Sequence, residues 1–419
     1  MFLPGRLGDR LKRSHARLGW HGRPARVARI AGIAAVVASL SLRAGAQNPD
    51  TLWPVFDGEL AGKFTALKLP GAPELSWTLT LRHSEPGQRR ATLVVTGTGT
   101  KLTGDVRLDA SNKCFWRIEE GRLDVDAWFA AWRSSLGPEF SGVTAGGTLA
   151  LSGEGSWHDG VLGGRARLSW TGGRVDDPAH KLMLEGIATE IEIVDLAARR
   201  TALAQRLTWT AGQYDVIALG AGRVVFAFDG EKVAVEEASV GAFAGELALG
   251  AFEFSVARPL FSVLAQVRGV EVAMFLPLLP PLVSEARGRL DGEVVLKRTM
   301  TGIEIGSARL SLRAGESAEL KLLPTAGLLS SSLPETVRKY YPGLADLEAG
   351  KVPLKAELLE VSLTPQGDAQ GRTASVRLAG GPVDPRLRAP VDLTVNVRGP
   401  LEWLINFGTD SRLHWGAGR

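Results

Sequence analysis

Cysteine and histidine are scarce in this chain of 419 residues, which holds one of the former and six of the latter. A lone thiol, Cys114, cannot form a disulfide within the chain. It lies in the apolar run Cys114-Phe115-Trp116, so we interpret it as an isolated buried cysteine, with an intermolecular disulfide or a reactive thiol as the alternative. The histidines stand singly along the sequence, which indicates solvated or hydrogen-bonded side chains rather than a metal site.

The motifs of common catalytic sites are also missing. The sequence has no phosphate-binding loop ending in Gly-Lys-Ser/Thr, no Gly-Xaa-Ser-Xaa-Gly nucleophile elbow and no His-Glu-Xaa-Xaa-His zinc helix. Asp176-Asp177 lacks the regular oxygen-ligand spacing of a calcium loop and is typical of a turn. The sequence therefore predicts no catalytic residue, no metal site and no cofactor, and we expect a protein that is not an enzyme.

Positive charge is concentrated at the start of the chain. Residues 1–46 hold nine Lys or Arg and one acid, Asp9, which gives this segment a charge of +8. Because the whole chain carries +4, the remainder carries −4. A mildly acidic body lacks the electrostatic basis for binding nucleic acid.

The basic segment is followed by an apolar one. The run Ile30–Leu42 spans 13 residues, fewer than the ~20 that a helix needs to cross a bilayer, and Ala44-Gly45-Ala46 has the small-residue pattern of a cleavage site. We interpret residues 1–46 as a secretory signal peptide, with an uncleaved inner-membrane anchor or a soluble amphipathic start as alternatives. The sequence thus predicts export to the periplasm or cell envelope.

From Gly146 to about Arg398 the chain repeats a strand in which every second residue is apolar, followed by a turn rich in glycine or charge. Successive side chains of a strand point to opposite faces, so each unit has one apolar and one polar face. We expect one hairpin around Gly163-Gly164. With fifty glycines and few long apolar helical runs, the sequence predicts a mainly β protein, whose sheet must bury its apolar face against something.

Helices are expected at few places. Leu123–Leu136 carries Val125, Trp128 and Trp132 at helical spacing, which predicts one amphipathic helix inside an N-terminal β region of residues 47–140. The proline-containing segment Glu271–Glu285 predicts a short helix followed by extended chain. Further short helices are expected in residues 326–341, where Pro334 begins the second half, and in residues 401–407, before a C-terminal tail of residues 408–419.

Several segments carry a family resemblance. The sequences VRGVEVAMFL at 267–276 and ARGRLDGEVVL at 286–296 resemble the C-terminal domain of YdbH-like proteins, which belong to the AsmA/TamB-like group of Gram-negative envelope proteins. Further similar segments follow the family order, and together they cover roughly residues 140–407; we assign residues 141–407 to this domain. These segments are GIATEIEIVDL at 186–196, AQRL at 204–207, VEEASVGAFAG at 235–245, the tyrosine pair at 340–341 and APVDLTVNVRGPLEWLINF at 389–407.

The resemblance implies a long twisted antiparallel sheet, curled into an open taco-like groove with an apolar lining and a few short helices. It implies a carrier of phospholipids between the inner and outer membranes, with acyl chains in the groove. The other implied partners are inner- or outer-membrane proteins and further copies of the chain. The implied groove-lining residues are Leu149, Leu151, Leu168, Trp170, Ile191, Ile193, Val224, Phe226, Phe228, Leu247, Leu249, Val294, Leu296, Leu310, Leu312, Val376, Leu378, Leu393, Val395 and Val397.

The same alternation also suits a closed β-sandwich or β-solenoid with a dry core. Such a protein would act as a structural or assembly factor for outer-membrane proteins. A glycan-binding β-protein is a further alternative, although the sequence shows no recognisable pair of carboxylates of the kind that glycoside hydrolysis needs.

Overall fold

The computed structural model describes residues 58–64, 74–85, 88–109, 113–136, 141–158, 161–215, 217–274, 283–299, 303–324, 329–330 and 334–399. Within these ranges the chain forms strands almost throughout, with three short helices. The prediction of a mainly β, antiparallel fold with a few short helices is therefore confirmed. The expected signal peptide or anchor, the helix at 401–407 and the C-terminal tail lie outside the described residues.

The first eight strands follow one another along the chain. They are β1 (Gly58–Phe64), β2 (Leu75–Glu85), β3 (Gln88–Gly97), β4 (Thr100–Leu108), β5 (Cys114–Asp124), β6 (Thr144–His158), β7 (Val161–Asp177) and β8 (Leu182–Asp195). Each pairs with the next in antiparallel register. The one helix among them, α1 (Val125–Leu136), follows β5 directly and confirms the predicted amphipathic helix.

The middle strands are shorter and share partners. They are β9 (Arg200–Thr201), β10 (Gln205–Trp209), β11 (Ala211–Tyr214), β12 (Ile217–Phe228), β13 (Lys232–Ala242), β14 (Gly245–Leu249), β15 (Phe252–Ser255) and β16 (Phe261–Glu271). β10 and β11 both lie between β8 and β12. β13 pairs with β12, β14 and β15, and β14 pairs onward with β16.

The last strands contain one branch. They are β17 (Val283–Arg287), β18 (Arg289–Arg298), β19 (Ile303–Leu312), β20 (Ala318–Leu322), β21 (Leu354–Leu363), β22 (Ala374–Pro382) and β23 (Val391–Val397). The main sheet continues from β16 through β18, β19, β21 and β22 to β23. β17 pairs with β20, which pairs with the first residues of β21. The helices α2 (Glu335–Arg338) and α3 (Gly343–Glu348) lie between β20 and β21 in the chain.

The sheet is continuous across the domain boundary expected at residue 141. β5 and β6, which flank that boundary, are paired over most of their length. The described residues between 58 and 399 accordingly form one compact unit.

The expected turn at Gly163-Gly164 is wrong. His158 pairs directly with Val161, and Gly163 and Gly164 lie inside β7 opposite Ser156 and Gly155. The strands β6 and β7 are 15 and 17 residues long, whereas most strands have about five or six residues. The hairpin therefore continues past Gly163-Gly164.

Bulges shift the pairing register of the sheet without reversing its faces. Between Val267 and Val270 the register of β16 shifts against β18, and Gly269 takes a φ of 62°, which a residue with a side chain rarely adopts. The Gly269 N–H donates to the Asp291 carboxylate at 2.6 Å. At a second bulge in β13, the neighbouring Glu236 and Glu237 are both exposed.

Candidate functional site: an apolar face of the sheet

One row of directly opposed residues crosses seventeen strands of the sheet. Directly opposed residues of an antiparallel pair share a face, so this row identifies one face of the whole sheet. Fourteen of its members are apolar, and we call it the central row. It runs through Leu75, Gly97, Thr100, Leu123, Leu149, Trp170, Thr189, Leu207, Val224, Ala238, Leu249, Ala265, Val294, Ala308, Leu363, Ala374 and Val397.

The registers place all twenty residues expected to line a groove on the face of the central row. Trp170, for example, opposes Leu149, and Leu378 opposes Leu393. The alternation in the sequence determines this result, because residues two apart on a strand share a face. We call these twenty residues, together with the central row, the apolar stripe.

Exposure varies along the stripe. Of the twenty predicted residues, seventeen are half-buried and Val395 is exposed, whereas Leu310 and Leu378 are buried, each with 7% of its surface exposed. Half-buried large apolar side chains are unusual for a packed core, in which residues such as Leu and Phe are mostly inaccessible.

Helix α1 covers the stripe at the N-terminal end of the sheet. The Trp128 indole N–H donates to the Thr100 hydroxyl of the central row at 2.7 Å, and both side chains are buried. The helix also contacts β6, and the Asp126 carboxylate accepts hydrogen bonds from Arg174 and, at 3.2 Å, from the Gly147 N–H. Val125 is buried beside the same face. This end of the stripe is therefore closed.

A packed core covers the stripe towards its C-terminal end. Leu344 and Leu347 of α3 join a cluster that includes Val270, Leu290 and Leu354. Leu310 and Leu378 belong to this cluster, which explains their burial, and Leu247, Val294, Leu312, Val376 and Leu393 pack against it. The carboxylate of Glu348 accepts hydrogen bonds from the backbone N–H groups of residues 329 and 330. These bonds hold residues 329 and 330 against α3.

Between these two ends the stripe carries an aromatic cluster that the sequence prediction omitted in part. The rings of Phe252 and Phe261 lie 4.6 Å apart, and those of Phe254 and Phe261 lie 6.0 Å apart. The register places Phe254 opposite Val233, which in turn opposes the predicted Phe228. The alternation in Phe252–Ser255 could have identified Phe252 and Phe254 from the sequence. Phe261 is the first residue of its strand, so the alternation is weaker evidence there.

Three tryptophans of the same face cover glycines on neighbouring strands. Trp77 opposes Gly62, Trp116 opposes Gly155 and Trp209 opposes Gly222. A Cβ at Gly222 would lie 2.1 Å from Cζ2 of Trp209, so the ring occupies the space of the missing side chain. Among the described residues the buried indole nitrogens of Trp116 and Trp209 have no hydrogen-bond partner. Trp403, another expected packing residue, lies outside the described residues.

The opposite face of the sheet is charged. Arg165 pairs with Glu154, and Arg167 with Glu190 at 3.3 Å, between adjacent strands. These side chains are largely exposed, and ion pairs of this kind contribute ~0–1 kcal/mol each to stability. These charged side chains keep this face of the sheet hydrated, whereas the face of the stripe is apolar.

Phe115 belongs to this polar face, so the apolar run at Cys114-Phe115-Trp116 is not one cluster. The guanidinium carbon of Arg107 lies 4.9 Å, and the Lys113 ammonium 5.1 Å, from the centre of the Phe115 ring. Cys114 and Trp116 lie on the apolar face, where Cys114 is half-buried. Burial raises the pKa of the Cys114 thiol, which keeps it protonated and weakly nucleophilic.

Ionisable groups with shifted pKa values are few in the described part of the chain. The pKa of Asp229 is lowered by the backbone N–H groups of Lys232 and Glu231, which it accepts at a turn. The pKa of Asp368 is lowered in the same way by the Arg372 N–H. Within the described ranges no group of three His, Cys, Asp or Glu could hold a metal ion. None of the described helices has the length and apolar character needed to cross a membrane.

Comparison of the chain with protein-family models, with curated proteins and with solved structures found no match.

Proposed function

We propose that this protein is a non-enzymatic carrier of phospholipids between the inner and outer membranes of a cell envelope. The observation that supports the proposal is the apolar stripe, whose large side chains stay half-buried between the cover of α1 and the core below α3. A face of this kind needs an apolar partner. Acyl chains suit it because hydrophobic contacts, unlike hydrogen bonds, do not depend on orientation.

The energetics favour such a partner. Each CH₂ group buried from water is stabilised by about 0.8 kcal/mol, so an acyl chain that has left the bilayer is stabilised by lying on the stripe rather than in water. At ~4.8 Å between strands, the central row follows about 75–80 Å of sheet surface. Transfer down a concentration gradient along such a path requires no catalytic residue.

We further propose that residues 141–407 form a YdbH-like domain in which the stripe lines an open groove. The supporting segments are those in family order between residues 186 and 407. The leader at residues 1–46 supports a location in the periplasm or cell envelope, with the polar face of the sheet towards water.

Site-specific photo-crosslinking tests the carrier function. A photo-reactive residue at Phe226 or Val395 is expected to label phospholipid in vivo, because both positions lie on the stripe and are accessible. The matched control is Val225, which neighbours Phe226 but points to the polar face opposite Arg206. Leu310, in the packed core, is a second control. Absence of lipid adducts at Phe226 and Val395 in the folded protein, or equal labelling at Val225, would reject the proposal.

A structural or assembly role for outer-membrane proteins remains the second candidate. It is favoured by the sixteen-residue buried cluster around α3, which fills the C-terminal part of the face as a dry core would. This role predicts adducts with protein rather than lipid from the stripe positions.

A further inference from the structure

The strand ends on one side of the sheet, together with the connections between them, form a long edge. This edge carries exposed aliphatic side chains. This edge contains the connections between β6 and β7, β8 and β10, β12 and β13, β15 and β16, and β18 and β19. Turn residues are usually polar or glycine, so large apolar groups here have no local structural purpose. We call the exposed set the aliphatic rim; it consists of Val161, Leu203, Val256, Leu260 and Ile303.

Backbone contacts hold these connections side by side. The Leu196 N–H donates to the Gly164 carbonyl oxygen at 3.0 Å, which joins the β8–β10 connection to β7. Arg200 forms an isolated β-bridge with Asp229, and the Val256 N–H donates to the Glu231 carbonyl oxygen at 3.0 Å. The rim residues therefore project from one continuous border of the sheet.

The chemistry of the rim suits a lipid surface. Among the five connections, those at 196–204 and 256–260 contain Arg199, Arg200 and Arg258 and no acidic residue, whereas the connection at 229–231 contains Asp229 and Glu231. Exposed aliphatic groups beside arginines can enter the acyl boundary while the guanidinium groups stay at the phosphates. A protein hot spot is instead a contiguous patch rich in aromatic residues, whereas the rim presents separate aliphatic groups on successive connections.

The rim also adjoins the apolar stripe. Phe261, at the start of β16, follows Leu260 directly, and Ile303 opposes Arg298, which opposes Phe261. Phe228 ends β12 at the same edge, and Phe254 is the last residue but one of β15. An acyl chain crossing this edge beside Leu260 would meet the ring of Phe261 on the stripe, with the guanidinium-bearing Arg298 next to it.

We propose that the aliphatic rim docks on the surface of a phospholipid bilayer and that lipid passes between bilayer and stripe over this edge. The passage of lipid rests on the carrier function proposed above, whereas the docking does not. The opposite ends of the strands, where α3 packs on Leu354, face away from the bilayer in this arrangement.

Probe placement in the full-length protein tests the docking. In a Cys114→Ser background, an environment-sensitive fluorophore is attached at Leu203→Cys and, as matched control, at Tyr340→Cys beside α3. Leu203 and Tyr340 are equally exposed, each at 78%. On phosphatidylcholine vesicles with brominated acyl chains, the probe at 203 is expected to shift to the blue and to be quenched. The probe at 340 is expected to keep its emission in buffer, even if residues 1–46 also bind the vesicles.

A binding measurement complements the probes. The double variant Leu203→Glu/Ile303→Glu is expected to weaken quenching of a probe at Val161→Cys about tenfold, because two aliphatic groups no longer leave water. Tyr340→Glu is expected to leave that quenching within about twofold, as surface substitutions away from an interface do. Circular dichroism of each variant checks that the sheet is intact.

The outcomes separate the two proposals. If the probe at 203 keeps its emission in buffer, or responds no more than the probe at 340, docking by the rim is rejected. Lipid adducts at Phe226 would then leave the carrier function standing. If the probe at 203 is quenched but Phe226 gives no adducts, the rim docks and the carrier function fails. A third outcome is that vesicles do not change the emission of the probe at 203, while Leu203→Glu/Ile303→Glu abolishes binding of a protein that the wild type binds. The rim is then a protein interface and the proposal is overturned.

Discussion

The pairing of Trp209 with Gly222 leaves no room for a side chain at position 222. A Cβ there would lie 2.1 Å and 2.4 Å from two carbons of a rigid ring, and the ring is held by the facing strand. We expect Gly222→Ala to lower the free energy of unfolding by about 1–3 kcal/mol through overpacking. Chemical denaturation followed by circular dichroism measures the effect.

The control for this substitution is Gly163→Ala in β7. A Cβ at Gly163 would meet only the Ser156 carbonyl oxygen at 4.0 Å, so the change should be neutral or stabilising by up to ~1 kcal/mol. Replacing Trp209 by Leu alongside Gly222→Ala should recover part of the lost stability, as coupled neighbours do in a double-mutant cycle. Equal stability of the Gly222→Ala and Gly163→Ala variants would show that Trp209 does not fill this space.

At the residue scale, the sequence predicted which face a side chain occupies but not how deeply it is buried. Leu249 and Leu310 follow the same alternation, yet Leu249 is half-buried and Leu310 lies in a packed core. The difference comes from α3 and the β17–β20 pair, which cover only part of the face. Phe115 shows the reverse error, because an apolar run in sequence is divided between two faces by the period of two.

Helix α1 is attached to the sheet by a few polar contacts, and the bond from Trp128 to Thr100 is the most buried of these. Removing the hydroxyl by Thr100→Val is expected to cost about 1–2 kcal/mol of unfolding free energy, because the bond is lost without a change in shape. Thr103→Val, on the polar face of the same strand, should stay within about 0.5 kcal/mol of wild type. Similar costs for the two variants would contradict a specific role of this bond.

The hydrogen bonds that Asp126 accepts from Arg174 and Gly147 make the stability of the fold around α1 depend on pH. Partial desolvation opposes the effect, but the hydrogen bonds from Arg174 and the Gly147 N–H hold the pKa of Asp126 below its usual 3.8. A depressed pKa stabilises the fold above the unfolded value, and this stabilisation is lost as the pH falls through the folded value. We therefore expect wild type to exceed Asp126→Asn in stability at pH 7, with a difference that shrinks below pH 3.8.

Denaturation of both proteins at pH 7 and pH 3 measures this difference. A gap for Asp126→Asn that stays constant from pH 7 down to pH 3 would reject the assignment.

Elements with local signals were predicted best. The spacing of Val125 and Trp128 predicted α1, and Pro334 precedes α2 directly. The branch of β17 and β20 could not be predicted, because it depends on pairing between segments more than thirty residues apart, which leaves no periodic signal. The helix α3, of six residues, is too short for its apolar spacing to stand out.

At the scale of the whole molecule, a covered and an uncovered part of the same face should respond differently to truncation. Leu347→Ala removes a fully buried side chain from the cluster below α3 and is expected to cost about 2–5 kcal/mol. Leu249→Ala, on the half-buried stripe, should cost clearly less, because part of the side chain already contacts water. Comparing the two by equilibrium denaturation tests whether the stripe is open in solution. Equal losses would indicate a closed core along the whole sheet.

The central row crosses seventeen strands without changing face, and this places an arithmetic constraint on how the chain can vary. Adding two residues inside a strand lengthens it and preserves which side chains are apolar, whereas adding one reverses every side chain beyond that point unless a bulge absorbs it. Length differences within the strands of related chains should therefore occur in even steps. Odd steps should fall in the connections, or at bulges such as that at Gly269, where the sheet already accommodates an unpaired residue.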